Sequence, residues 1–239
     1  MRFLKGLLSV IIALAIMLVG MLLELVLLVF LIENLVIKGD FLFYEHSELA
    51  YFLIVLVAII PPAVLANFVL LKLNLLTRRK LEQNNELYLF WNRLGKFKIL
   101  FFIAYFIVLY CSITSVNVVY EDKIVVKNFY NPIGKTYSYL DVTEVETGFG
   151  KSNFSCSEKR EKGTFYYVVK FKGKKVEFSS PTPNGKIERY QTESYLELEE
   201  FDKKLVEIGV KKTSSEECSE FCDFDKSIVE RFLRIIRNK

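Results

Sequence analysis

The sequence predicts an α+β membrane protein: a block of three transmembrane helices, then a β-rich soluble domain with helices near its C-terminal end. Three observations predict this. The long apolar runs lie almost entirely within residues 1–115. Residues 116–239 carry 22 Lys/Arg and 21 Asp/Glu, the balance of an ordinary water-soluble segment. At Val116 the pattern changes from long apolar runs to short alternating runs separated by turn residues. The net charge of +4 is no partner signal, because only +1 of it falls in the soluble part. A nucleic-acid binder would concentrate basic charge on that part, so no nucleic-acid partner is expected.

A bilayer core about 30 Å thick requires roughly 20 apolar residues in helix. Backbone groups in hydrocarbon must be satisfied internally, so each apolar run reads as a helix. The first runs over about 6–32, broken only by Glu24, the second over about 49–71, and the third over about 99–115. The first is too long for the apolar region of a secretory signal, and no A-x-A site follows it. It reads as a retained anchor. The second contains Pro61-Pro62, a candidate kink because proline lacks the N–H of a helical hydrogen bond. A kinked single span is the expectation. A re-entrant hairpin is the alternative and would invert the topology downstream.

Orientation follows from the basic residues of the short loops. Residues 33–48 contain Lys38 alone, whereas residues 72–98 contain Lys72, Arg78, Arg79, Lys80, Arg93, Lys96 and Lys98. With Arg2 and Lys5 this places the N-terminus and the second loop in the cytoplasm. Three spans then leave the C-terminal domain extracytoplasmic, in a multi-pass protein of the cell membrane. Trp91, beside Arg93 and just before the third run, suits the headgroup level. Glu24 is the one ionisable acid or base well inside a run. Such groups usually face the bundle interior and are candidate functional positions. Tyr110 and Ser112 lie at comparable depth on the third helix and are the expected hydrogen-bond partners. An ion or proton relay through Glu24 is the alternative.

Strands are expected at Val116–Glu121, Lys123–Tyr130, Lys135–Tyr139, Asp141–Phe149, Thr164–Phe171 and Lys175–Ser180. Turns are expected at Asp122-Lys123, at Asn131-Pro-Ile-Gly134 and at Lys172-Gly-Lys174. A helix begins at Thr192 or Glu193, repeats Tyr195, Leu198, Phe201, Leu205 and Ile208 at helical spacing, and ends at Gly209. Its charged residues, Glu197, Glu199, Glu200, Lys203, Lys204 and Glu207, read as a solvated surface. The tail, 210–239, holds a second amphipathic helix over Asp225–Arg237, apolar at Ile228, Val229, Phe232, Leu233 and Ile236. Such a helix docks on the domain or lies on a membrane surface.

The stretches Val118-Val-Tyr-Glu-Asp-Lys-Ile-Val-Val-Lys-Asn-Phe129, Lys135-Thr-Tyr-Ser-Tyr-Leu-Asp-Val142, Tyr166-Tyr-Val-Val-Lys-Phe171 and Lys174-Lys-Val-Glu-Phe178, directly after a membrane run, resemble bacterial integral membrane proteins that carry a pleckstrin-homology-like (PH-like) domain. The resemblance covers about residues 116–209. It implies a β-sandwich or barrel of seven strands capped by a C-terminal helix, of which six strands are visible here. It also implies a non-catalytic platform for a protein partner or a second copy. No basic pattern for phosphoinositide headgroups stands out.

No phosphate loop, dinucleotide fingerprint, H-E-x-x-H or G-x-S-x-G occurs, and the only histidine is His46. No catalytic, cofactor-binding or metal-binding residue is therefore expected, and enzyme function is not. The cysteines are Cys111, Cys156, Cys218 and Cys222. If the domain is outside the cytoplasm, Cys156 can pair with Cys218 or Cys222; if inside, free thiols are expected. Asn153-Phe-Ser155 fits a glycosylation sequon, frequent by chance. The expectation is a non-enzymatic membrane protein used in interaction or assembly. The alternatives are a small transporter or channel component built on Glu24 and the Pro61-Pro62 helix, and an immunity or self-protection protein.

Overall fold

The structure, a computed structural model, describes residues 2–73, 98–151, 160–179, 182–183 and 195–238. They form two compact units. One is Met1–Ile37 with Ser47–Ser115, the other Lys38–His46 with Val116–Lys239. The second unit is thus discontinuous in sequence, and the tail after residue 209 belongs to it.

The first unit is helical. Helix α1 spans Arg2–Leu31 and continues as a π-turn over Ile32–Val36, closed by Ile37 N–H donating to Ile32 O at 2.8 Å. Helix α2 spans Glu48–Lys72, and helix α3 spans Lys98–Thr114. Two segments, Leu7–Val36 and Leu49–Leu70, are long and apolar enough to cross a membrane; Ile99–Thr114 is a shorter apolar helix. Of the three expected spans, two among the described residues thus have the length and composition to cross, and the third is the short one. At 1.5 Å per residue the 17 residues of α3 reach about 25 Å, short of the full hydrocarbon thickness. Apolar residues lie open on opposite sides of α1: Leu14 and Leu23, half a circumference apart, are each exposed. A helix apolar all round and left uncovered belongs in an apolar surrounding rather than in water.

Helix α2 runs unbroken through Pro61 and Pro62, so it is one helix and not a re-entrant hairpin. The two prolines deprive the carbonyls of Val57 and Ala58 of their helical donors. Ala50, Ala58, Pro62, Ala66 and Leu70 form its buried stripe. Small side chains at four-residue spacing let helix backbones approach closely.

The second unit is a two-sheet assembly. Strand β1 is Phe43–His46, β2 Val116–Val119, β3 Lys123–Asn128 and β4 Asn131–Ser138; a 3-10 turn over Tyr139–Asp141 leads to β5. Strand β5 is Val142–Phe149, β6 Phe165–Phe171, β7 Lys174–Glu177 and β8 Thr182–Pro183. Helix α4, Leu196–Glu207, strand β9, Lys211–Ser215, and helix α5, Lys226–Arg237, complete the unit. One sheet has the order β4-β3-β2-β1-β8, the other β7-β6-β5-β9. Among the described residues the sheets do not close into a barrel. Strand β9 runs parallel to β5, from Glu144 opposite Lys211 to Gly148 opposite Ser215.

Strand β1 comes from the loop between α1 and α2. It pairs antiparallel with β2, Phe43 opposite Val119 and His46 opposite Val116. Phe43 is fully buried and meets Phe178 edge-on at 5.3 Å and Phe201 at 5.7 Å. The core runs through both sheets and both helices: Tyr137 stacks on Phe171 at 4.2 Å, and Phe165 lies parallel to Phe232 of α5 at 3.9 Å. The amphipathic tail helix therefore docks on the domain.

Two turns differ from expectation or depend on glycine. Asn131-Pro-Ile-Gly134 lies inside β4; the turn is Phe129-Tyr130. The Asn128 side chain accepts from the backbone N–H groups of Tyr130 and Asn131 at 3.1 and 2.8 Å, which supplies the turn chemistry three residues before Asn131, where the expected turn begins. Helix α4 begins at Leu196, after Tyr195 in a left-handed conformation, and ends at Gly209 with φ +81°. Gly209 N–H donates to Val206 O, and Val210 N–H to Leu205 O, the paired bonds of a Schellman cap.

Candidate functional site

The helical unit brings together part of the polar set that the sequence singles out. Gly20 of α1 and Pro62 of α2 are in closest approach. A Cβ at Gly20 would fall 2.6 Å from the Pro62 Cβ, so only glycine fits. Glu24 lies one turn further along the same face of α1. The α3 tyrosine within reach of the Glu24 charge is Tyr105. Ser112 instead donates its hydroxyl to Leu109 O at 2.7 Å, and Tyr110 is exposed. The expected bond from Glu24 to Tyr110 or Ser112 is thus replaced by proximity to Tyr105, about one and a half to two turns earlier on the helix. Pro61, Val64, Phe68, Phe101 and Tyr105 line an apolar groove of about 370 Å³ between α2 and α3. The arrangement is one half-buried acid, one phenol and a helix with two internal prolines, in otherwise apolar surroundings.

The β unit holds a more strongly built polar cluster, which sequence reasoning missed. Asp202 of α4 is 1% exposed and Lys212 of β9 has a side chain 3% exposed. Lys212 Nζ lies 2.6 and 2.7 Å from the two Asp202 oxygens and also donates to Ile235 O. Tyr167 of β6 donates its hydroxyl to Asp202 at 2.9 Å, and Asn238 donates its amide at 2.8 Å. Burial, the Asp202 charge and the hydrogen bond to it push the Tyr167 phenol well above its ordinary value. Donors from three places in the chain converge on the carboxylate. The cluster therefore ties α4, β6, β9 and the end of α5 together, and its chemistry is cohesive. Glu199 makes a second tie. It is buried rather than part of a solvated face, and it accepts from Arg234 at 3.2 Å and pairs with Lys203 at 3.2 Å. A signal was present: Asp202 lies one turn after Leu198 and adjoins Phe201, so it falls at the edge of the apolar stripe. Arg231, Arg234 and Arg237 recur every three residues, as a helix offering one charged edge to a partner requires.

Cys111, Cys218 and Cys222 are free and partly buried; burial raises the Cys222 thiol above its usual value. Cys156 lies outside the described residues, as do the sequon, Trp91 and the second loop from residue 74 to 97. Among the described residues no group of three His, Cys, Asp or Glu is placed to hold a metal ion. Comparison with protein-family models, curated proteins and solved structures finds no match.

Proposed function

We propose that the chain is a multi-pass, non-enzymatic protein of the cell membrane whose β unit serves protein interaction or assembly beside the bilayer. The pairing of β1 with β2 is the observation that carries this reading. Residues 38–46 and 116–239 belong to one folded unit, so they share one side of any membrane. The chain between them must then cross an even number of times. If α2 spans, α3 spans too, and 17 residues is the lower end of what suffices. With α1 this makes three crossings. The basic second loop favours a cytoplasmic N-terminus and an extracytoplasmic β unit. The order of strands, hairpin and helix over 116–209 supports a PH-like platform, to which β1, β9 and α5 are additions. The buried polar clusters are occupied in holding elements together, which suits a rigid platform better than a reaction site.

Thiol accessibility in intact cells tests the topology. Lys38→Cys and Lys211→Cys should both react with an impermeant reagent, and Lys80→Cys should be protected; unequal labelling of the first two would sink the reading. Cross-linking in membranes from exposed positions of the β unit tests its use: a discrete adduct with a partner or a second copy is expected, and monomer at every position would count against it.

A second reading, a transporter or channel component, draws on Glu24 beside Tyr105 and on the two prolines inside α2. It requires that Glu24→Cys react with a water-borne thiol reagent and that Glu24→Gln abolish flux in proteoliposomes. On the platform reading the first does not react and no flux exists to be lost.

A further inference from the structure

The hairpin β3–β4 ends in an apolar tip. Tyr130 is 83% and Ile133 85% exposed, among the most open large apolar side chains of the described residues. Phe129 packs on Tyr130 with ring centroids 3.7 Å apart. The tip has a defined shape. Asn128 accepts from two backbone N–H groups across the turn, and Asn131 Oδ1 accepts from Gly134 N–H at 3.2 Å. Gly134 has φ +87°, and a Cβ there would meet Val125 Cγ1 at 2.7 Å and Lys127 Cγ at 2.8 Å. Left-handed backbone and close approach together require glycine, so the fold spends a special residue on holding two apolar side chains out in the open.

The place of the tip follows from strand register. Asn117 pairs with Val126, so the next antiparallel step sets Lys127 level with Val116. His46 also pairs with Val116. Val116 and His46 are the residues at which the chain passes, through Ser115 and Ser47, to α3 and α2. Phe129 and Tyr130 follow Lys127 beyond that level at about 3.3 Å per residue, so the turn reaches about 7–10 Å past it, whereas Ile133, between the Asn128–Asn131 and Val126–Lys135 pairs, lies close to the level itself. The headgroup layer of one leaflet is about 5–8 Å deep. The tip therefore overshoots the chain-entry end of the sheet by the depth of a headgroup layer.

Its chemistry fits that layer. Tyrosine and an aliphatic neighbour suit the boundary of headgroup and acyl chain. Lys127 and Lys135 flank the tip. Lys127 is lowered by burial and by the charge of Lys38, and Lys174 by burial and by the charge of Lys135, so the four lysines form two like-charged neighbour pairs. Clustered lysines beside an apolar tip attract anionic lipid.

We propose that the β3–β4 hairpin is a bilayer-surface anchor: Phe129 and Tyr130 enter the headgroup layer of the membrane that holds the helices, Ile133 rests at its outer edge, and Lys127 and Lys135 contact anionic headgroups. This rests on the membrane reading above. The test uses the full chain with Trp91→Phe and Tyr130→Trp, reconstituted in vesicles of phosphatidylcholine with phosphatidylglycerol, with and without brominated acyl chains. Leu140→Trp is the comparison, because Leu140 is 81% exposed and follows Ser138, which pairs with Lys123 at the other end of the sheet. The expected result is a blue-shifted emission from position 130 that brominated lipid reduces by about half or more, with position 140 unaffected. Adding Lys127→Glu with Lys135→Glu should weaken the quenching, and the weakening should need the anionic lipid. An aqueous, unquenched emission at 130 in a chain that resists carbonate extraction overturns the anchor and leaves the membrane reading intact. A blue shift without quenching overturns it in favour of a protein contact, with a second copy or a partner. A chain released by carbonate overturns the membrane reading itself.

Discussion

The two units bury an acid in opposite ways. In the helical unit Glu24 is half-buried among apolar side chains, with Tyr105 as the group its charge reaches. In the β unit Asp202 is fully buried and receives Tyr167, Lys212 and Asn238. The difference follows from what surrounds each unit. A unit that makes its own core must satisfy every charge from within, because the desolvation cost of an unpaired buried ion is several kcal/mol. A unit whose core is partly supplied from outside can leave a lone acid at a helix boundary, and its cohesion rests on close backbone approach instead.

Breaking the ion pair should be the largest single effect. Asp202→Ala leaves Lys212 buried without its counter-charge and should cost about 3–5 kcal/mol, read by chemical denaturation of the β unit's tyrosine signal. Asp202→Leu combined with Lys212→Met should recover most of that loss, which separates the worth of the pair from the cost of orphaning one partner. Next comes close approach in the helical unit. Gly20→Ala drives a Cβ against Pro62 and should cost about 1–3 kcal/mol in detergent unfolding, with the β unit unchanged. An equal loss in both units would erase the distinction drawn here. Gly209→Ala has open space around it and pays only for φ +81°, about 1 kcal/mol.

The smallest effect is one of pH. Burial raises the Glu199 carboxyl, but hydrogen bonds from Arg234 and Lys203 outweigh it and hold the carboxyl below its ordinary value. A carboxylate held low in the folded state contributes stability that is present above its unfolded value, near 4.3, and is lost as pH falls through the folded one. Glu199→Gln should therefore flatten the acid limb of the stability curve below about pH 4.5 and leave the neutral region little changed.

Local pattern made much of this fold legible, and long-range pairing hid the rest. The hairpin of β6 and β7, the Gly209 cap and the places of Phe232 and Ile236 in the α5 stripe all depend on residues within a few positions of one another, although Ile235, also buried, fell outside the expected stripe. Strand β1 could not be read from Phe43-Tyr-Glu-His46, because its partner lies some seventy residues away and four residues carry no period of their own. Strand β9, Lys-Lys-Thr-Ser-Ser, is polar because it is an edge, and only its register with β5 makes it a strand. The polar site was half legible. Glu24 stood out as a charge in an apolar run, but its neighbour on α3 depended on helix rotation, which spacing alone leaves open. Glu199 reads as a surface acid from spacing alone, and its burial depends on α5, whose Arg234 reaches it.

The pairing of β1 with β2 also orders events in time. Phe43, at the centre of the core, leaves the ribosome long before Val116, its neighbour's first residue. Strand β1 must wait, unpaired, while some seventy residues are made and two helices are placed. Closing so long a loop is slow, and an unpaired strand is exposed in the interval. On the proposed topology the wait acts as a count. A chain whose α3 fails to insert has β1 and β2 on opposite sides of the bilayer, and its β unit never forms. Completion of that unit certifies that the helices were threaded correctly, and an incompletely threaded chain displays an unfinished domain to the proteases of its compartment.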